Sequence, residues 1–285
     1  MAEGLQAGET AAPPRQFRFT ERDFRCIQRL VRELAGIELG AAKRELVYSR
    51  LSRRLRALGL DSFRAYCERL RSVPQETAEL LNAITTNLTA FFREPHHFEH
   101  LAREALPAVL ERRRDTRRVR IWSAGCSTGQ EPYSIAMTVL ERLPAGWDLR
   151  ILATDIDENA LARARAGIYE ADAVRALPRA RLARWFLRGR GANEGRVRVR
   201  RELREAVCVR RLNLVGDWPL RGPLDVVFCR NTLIYFGKDT QRRIVERFAD
   251  LLGAGGWLYL GHSESLFKVT DRFELVGQTI YRCRG

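Results

Sequence analysis

Beyond Arg117 the chain alternates apolar, β-branched runs with helix-patterned segments, and this alternation restricts the fold more than any other feature. "RRVRIWSAGCSTG" reads as a strand and a glycine-containing turn, "EPYSIAMTVLERL" as a helix, "LRILATDID" as a strand, and "ENALARARAG", from Glu158, as a helix. Further on, "PLDVVFCRN" is a strand, "KDTQRRIVERFADLL" a helix closed by Gly253, and "GGWLYLGHSE" a strand, while "FELVGQTIYRCR" has the length of a closing hairpin. Strands alternating with helices of roughly ten to fifteen residues specify a doubly wound, mostly parallel α/β sheet.

The alternation breaks between Ile168 and Leu212. There "RVRVRRE" and "AVCVRRL" set positive residues against valines at period two, around a glycine-rich turn. This pattern predicts a small antiparallel β insertion over about 168–212 with one strongly basic face.

The first part of the chain has a different texture. Residues 1–16, "MAEGLQAGETAAPPRQ", are small and polar and are expected to form a disordered tail. From 17 to 84 the pattern is helical, giving an all-α N-terminal domain of about four helices. Thr20 is the expected cap of the first, which ends near Gly36; Asp61 is the expected cap of a later one, and Pro74 precedes the last. On "KRELVYSRLSRRLRALGL" the apolar Val47, Tyr48, Leu51, Leu55 and Leu58 share one helical arc, and Lys43, Arg50, Arg53 and Arg54 share the next. Residues 85–118 form a connector, "TTNLTAFFRE", and a helix; 119–285 is the α/β domain with its insertion. A connector of Asn, Thr, Arg and two Phe lacks the Gly, Pro and Ser of a flexible linker.

Composition narrows the function classes. No apolar run reaches the roughly 18–20 residues of a membrane span, and the first residues have neither the basic start nor the apolar stretch of a signal peptide. The six cysteines are scattered without a CxxC, so reduced thiols in a cytoplasmic protein are expected. His96 and His100 have the spacing of a helical metal pair, but no cysteine or third ligand accompanies them, and no metal site is expected. A net charge of +15 calls for an anionic partner: nucleic acid, anionic lipid or an acidic protein surface.

The chemistry concentrates at strand ends. Gly125-Cys126-Ser127-Thr128-Gly129 follows the first strand, where nucleotides bind in such sheets. It has neither the Lys-Ser/Thr of a phosphate loop nor GxGxxG. Asp155, at the end of the next strand, is placed to accept hydrogen bonds from ribose hydroxyls, and Asp157 suits a helix cap. An acid for the ribose without a phosphate cradle fits a nucleoside ligand without phosphates, such as S-adenosylmethionine; a purely structural turn and cap fit the spacing too.

Five stretches together, "TTNLTAFFREPHHFEHL", "WSAGCSTGQEPYSIAM", "ATDIDENALARARAGIY", "RNTLIYF" and "GHSESL", resemble the chemoreceptor glutamate methyltransferases, the CheR family, in that family's order. The resemblance runs from about Phe17 to Cys283. It implies a helical domain, a Rossmann-like class I methyltransferase domain and a small antiparallel subdomain within it. It also implies cofactor contacts from Asn87, Thr89, Arg93, Glu131, Asp155, the pair Asn213-Leu214 and the pair Asn231-Thr232, beside the turn at Gly125. Gln130 and Thr232 stand where the family commonly has Glu and Val.

The implied reaction moves a methyl group from S-adenosylmethionine to a glutamate carboxylate of a chemoreceptor, leaving a methyl ester and S-adenosylhomocysteine. Arg93 is the candidate to orient that carboxylate, because a guanidinium binds it bidentately, and Tyr235 is a second candidate; an ion pair of Arg93 with Glu94 or Glu99 is the plainer role. Phe91 and Phe92 are expected to wedge the connector against both domains. Acidic receptor helices are expected to dock on Arg50, Arg53 and Arg54, and a receptor tail on Arg196, Arg198 and Arg200 of the insertion. A monomer without membrane insertion is expected. The competing readings are a methyltransferase of the same fold acting on nucleic acid, against which stand the missing [DN]PP[YF] motif and stacking platform, and a non-catalytic cofactor- or receptor-binding adaptor.

Overall fold

The computed structural model describes residues 16–285, so the tail expected over 1–16 lies outside the described residues apart from Gln16. The helical domain comprises α1 (Glu21–Ala35), α2 (Arg44–Leu58), α3 (Phe63–Ser72) and α4 (Pro74–Ile84). Thr20 and Asp23 form a reciprocal capping box on α1, and Gly36 ends the helix in the left-handed conformation. The cap of α3 is Ser62 rather than Asp61: the Ser62 hydroxyl accepts from the Ala65 N–H at 3.3 Å and donates to the Asp61 carboxylate. Val47, Leu51 and Leu55 of α2 are fully buried, together with Phe24, Ile27, Phe63, Tyr66 and Leu80.

The basic arc expected on α2 is largely consumed by this domain. Arg50 donates to the carbonyls of Ala83, Ile84 and Thr85 at 3.3, 2.8 and 2.6 Å, supplying partners to the end of α4, where the helix itself has no donors left. Arg54 grips Glu76 through two bonds of 2.7 and 2.8 Å; Glu76 is only 3% exposed and needs a cation to be buried. Both side chains are thereby engaged within the helical domain, although each stays partly exposed. Arg53 alone of the three is exposed.

After the connector, α5 (Pro95–His100) continues through a π-helical turn into α6 (Leu106–Arg112). The α/β part then runs β1 (Arg118–Ala124), α7 (Gln130–Leu140), β2 (Asp148–Asp155), α8 (Glu158–Ala166), β3 (Ile168–Glu170), α9 (Arg179–Trp185), β4 (Phe186–Arg188), β5 (Arg196–Val199), α10 (Arg201–Ala206), β6 (Val207–Arg211), β7 (Val226–Cys229), α11 (Lys238–Leu252), β8 (Trp257–Leu260), β9 (Phe273–Gly277) and β10 (Ile280–Cys283). Seven strands form one sheet in the order β6-β2-β1-β7-β8-β10-β9. The first five are mutually parallel, and β10 lies antiparallel to both neighbours. Chain order reverses between β1 and β7, which opens a crevice at the carboxyl ends of those strands.

The antiparallel insertion is smaller than expected. Only β3, β5 and β4 form it. The run "AVCVRRL" supplies β6 instead, paired in parallel with β2 from Ile151–Val207 to Asp155–Arg211, the connection running through α8, the small sheet and α10. Val207 and Val209 bury against the sheet while Arg210 and Arg211 face out. A half-exposed parallel edge strand has the same period-two pattern as an antiparallel hairpin, so the local sequence does not separate them. The basic face survives in part. Arg196 and Arg198 of β5 are exposed, the former 3.4 Å from Glu170, whereas Arg200 is half-buried at the start of α10 and donates to the Ala183 carbonyl.

Candidate functional site

A cavity lies where the helical domain meets the crevice between β1 and β7. The two domains are joined there by backbone and side chain: Glu38 N–H donates to the Tyr235 carbonyl at 2.8 Å, and the Asn213 amide donates to the Leu34 carbonyl at 2.8 Å. Ala35, Ile37 and Leu39 of the helical domain line one wall, the connector from Thr85 to Arg93 a second, and the ends of β1, β2, β6 and β7 the floor.

Local chemistry dictates the floor. Gly125 has φ +88°, and a Cβ there would collide with the Thr232 side chain, so only glycine lets the turn lie this close to β7. The Asp155 carboxylate accepts from the Ser127 and Asp157 N–H groups at 2.8 and 3.0 Å, fixing the turn after β1. Burial pushes the Asp155 carboxyl up in pKa, and those N–H bonds oppose the rise. Glu131, at the start of α7, accepts from the Ser123 hydroxyl at 2.7 Å and from the Arg230 guanidinium at 3.2 Å. Burial pushes its carboxyl up as well, against the Arg230 charge and the Ser123 bond. Two carboxylates thus face a mostly apolar cavity.

Most of the anticipated residues come together here. Thr89, Arg93, Gly125, Glu131, Asp155, Asn213, Leu214, Asn231, Thr232 and Tyr235 all line the cavity. Asn87 does not. Its amide donates to Asp157 at 2.6 Å and its carbonyl oxygen accepts from the Ser127 hydroxyl at 3.3 Å, so it braces the turn from behind. The cause is Asp157, which caps α8 through Asn159 and Ala160 with one oxygen and needs donors for the other; Thr85 and Asn87 provide them. The Asn213 side chain also accepts from the Val215 N–H at 3.1 Å, so its amide already holds both a turn and the domain contact.

Arg93 donates to the Leu88 carbonyl at 2.9 Å, and among the described residues it is in no ion pair. Glu94, one of the two acids offered for a plain ion pair with Arg93, turns to Arg230 at 3.3 Å and His262 at 3.0 Å. Tyr235 reaches the same wall. Burial raises its hydroxyl pKa, and the nearby Arg50 and Arg93 charges pull it back. The aromatic pair of the connector differs from expectation: Phe91 packs on Tyr169 and Phe186 with ring centres 5.0 and 5.5 Å away, and Phe92 on Phe98 at 5.1 Å. Both rings therefore anchor to the α/β side rather than to both domains.

Two buried charges escaped the sequence reading. Glu264 accepts from the N–H groups of Asn231, Thr232, Ile234 and Gly261 at 2.8, 2.8, 3.2 and 2.6 Å, tying the turn after β7 to the end of β8. Arg230 is 6% exposed and spans Glu131 and the connector. Their motifs, "RNTLIYF" and "GHSESL", were visible, but nothing in either names its partner. His96 and His100 diverge, to the Gln278 carbonyl and the Tyr259 hydroxyl. Ligand atoms of Glu94, His96 and His97 do gather within 4.8 Å, beside the Arg230 guanidinium that already pairs with Glu94.

A helical domain, a sheet of this order and a cleft at its switch point, with Asp155 at the end of β2 and Glu131 at the start of α7, are the architecture of an S-adenosylmethionine-dependent methyltransferase. Comparison with known proteins agrees. The family model for the CheR methyltransferase SAM-binding domain matches residues 87–282, and that for the CheR all-alpha domain matches 22–85. A probable chemotaxis protein methyltransferase of Rhizobium etli is 48% identical over 87% of this chain and 94% of that protein. Chemotaxis protein methyltransferase 2 of Pseudomonas aeruginosa is 46% identical over 93% of this chain and 94% of its own length, and the Escherichia coli chemotaxis protein methyltransferase 43% identical over 99% and 98%. The chain belongs to the CheR methyltransferase family.

Proposed function

We propose that the chain methylates glutamate side chains in the cytoplasmic domain of transmembrane chemoreceptors, with the methyl donor seated in the cavity between its two domains. The observation that carries this reading is the convergence of Arg93 and Tyr235 on a cavity floored by Asp155 and Glu131. The donor set fits the cofactor: carboxylates for ribose hydroxyls and an ammonium, the Asn213-Leu214 and Asn231-Thr232 segments for the adenosine side, and a glycine turn whose Cβ space Thr232 occupies. When bound, S-adenosylmethionine supplies an electrophilic methyl group and departs as a neutral thioether.

The protein's own task is then positioning. A glutamate carboxylate, with an ordinary pKa near 4.3, is already anionic at neutral pH, so no general base is needed. The Arg93 guanidinium offers that carboxylate paired N–H donors, and the Tyr235 hydroxyl, its pKa raised by burial, stays protonated and donates. The apolar walls exclude water, which would solvate the nucleophile. Arg53 on α2 and Arg196 and Arg198 on β5 are exposed cations for an acidic receptor surface. No helix among the described residues is long and apolar enough to cross a membrane, which accords with a cytoplasmic enzyme acting on the receptor's inner domain.

The test is incubation with methyl-labelled S-adenosylmethionine and receptor-containing membranes or nucleic acid. Base-labile label on receptor protein, released as methanol, is the expected result. Label on nucleic acid, or none, contradicts it.

A further inference from the structure

Arg93 sits between two residues in the left-handed region, Phe92 at φ +53° and Glu94 at φ +58°. Neither is glycine, and each such residue costs about 1–2 kcal/mol, so something must hold this backbone. Three consecutive residues are in fact pinned. The Phe92 N–H donates to the Ser134 hydroxyl at 3.0 Å, the Arg93 carbonyl accepts from the Arg230 guanidinium, and the Glu94 carboxylate lies 3.3 Å from the same guanidinium.

The other end of that guanidinium meets Glu131 at 3.2 Å. Arg230 is buried, stacks its charge 5.6 Å from the centre of the Phe98 ring, and lies directly before the Asn231-Thr232 turn. One side chain therefore touches the carboxylate on the cavity floor and the peptide that carries Arg93. Glu94 is fixed in turn by His262 at 3.0 Å.

We propose that Arg230 is the positioning residue of the reaction: it sets the Arg93 backbone on one side and Glu131 on the other, so that the acceptor-orienting arginine and the donor pocket keep a fixed spacing. The proposal rests on the methyltransferase reading above. It requires a guanidinium, whose planar fork presents N–H groups in two directions; a lysine ammonium is a single point on a flexible stem. Arg230 touches no reacting atom in this scheme, and its effect passes through Arg93 and Glu131.

The experiment is a pair of double-mutant cycles on the full chain. Receptor methylation is followed for wild type, Arg93→Ala, Arg230→Lys and the double variant; S-adenosylhomocysteine affinity is followed by calorimetry for wild type, Glu131→Gln, Arg230→Lys and their double. Arg230→Lys is expected to lower kcat about 100-fold, the scale of a misplaced group, with receptor KM unchanged within about threefold. The Arg93→Ala/Arg230→Lys variant should be no slower than Arg93→Ala alone, and the affinity losses of Arg230→Lys and Glu131→Gln should likewise fail to add. Losses that multiply in both cycles, or a wild-type kcat for Arg230→Lys, overturn the proposal. If Arg230→Lys does not fold, Glu94→Gln replaces it in the Arg93 cycle with the same expected non-additivity, and multiplied losses there overturn it. A wild-type enzyme that methylates no receptor defeats the functional reading, while the calorimetric cycle still decides the role of Arg230.

Discussion

Replacing Glu264 by glutamine tests how the cavity floor is held. Each carboxylate oxygen accepts two backbone N–H groups: Thr232 and Ile234 at one, Asn231 and Gly261 at the other. The amide retains one oxygen, so two bonds survive while two N–H groups face an NH2. Bonds to a charged acceptor contribute about 1.5–3 kcal/mol each, so the two lost amount to about 3–6 kcal/mol. Burial of the carboxylate pushes its pKa up despite those bonds, and removing the charge recovers part of that penalty. A net loss of about 3 kcal/mol is expected. For a chain of this size that lowers Tm by about 5 °C. Because Asn231 and Thr232 hang from the same carboxylate, S-adenosylhomocysteine affinity should fall about tenfold, or about 1.4 kcal/mol. Calorimetry gives both numbers. A Tm within about 2 °C of wild type together with unchanged affinity refutes the claim that Glu264 anchors this turn.

Other outcomes follow from the same structure. Arg54→Leu removes the bidentate partner of Glu76, leaving it the Tyr66 hydroxyl at 3.1 Å and Arg69 at 3.8 Å, and should cost about 3 kcal/mol in urea melts, with the Arg54→Leu/Glu76→Leu double variant recovering most of it; Arg53→Glu should leave Tm unchanged and raise receptor KM several-fold. For Glu94, burial alone pushes the carboxyl up, but the bond to His262 and the Arg230 charge override it and hold the pKa at about 2, against an ordinary 4.5. A lowered carboxylate stabilises the fold above its unfolded pKa and loses that contribution as pH falls toward the folded one. The stability gap between wild type and Glu94→Gln should therefore be full above about pH 5 and shrink as pH falls from 4.5 toward 2; a gap constant over that range contradicts the pairing.

The strand–helix alternation made the large sheet readable because each segment carried its own period and its own stop. It failed at β6, where Val207, Val209 and Arg210 show an alternation that an edge strand of a parallel sheet shares with a hairpin. Strand-end residues such as Asp155 and Gly125 were legible because that position in an α/β sheet is where ligands bind. What escaped was pairing over long separations. Glu264 meets backbone thirty residues away, and Arg230 meets Glu131 across 99 positions; no local pattern marks either contact. The partners of Arg50 and Arg54 were hidden for the same reason. An arc of arginines on one helix looks solvated until the carbonyl end of α4 and the buried Glu76 are packed against it.

The most direct measurement is a crystal structure of the chain with S-adenosylhomocysteine. The nucleoside is expected in the cavity between the two domains, with its ribose hydroxyls on Asp155, its amino-acid end at Glu131, and its sulfur facing the opening between Arg93 and Tyr235. A nucleoside bound elsewhere, or a sulfur turned away from Arg93 and Tyr235, contradicts it.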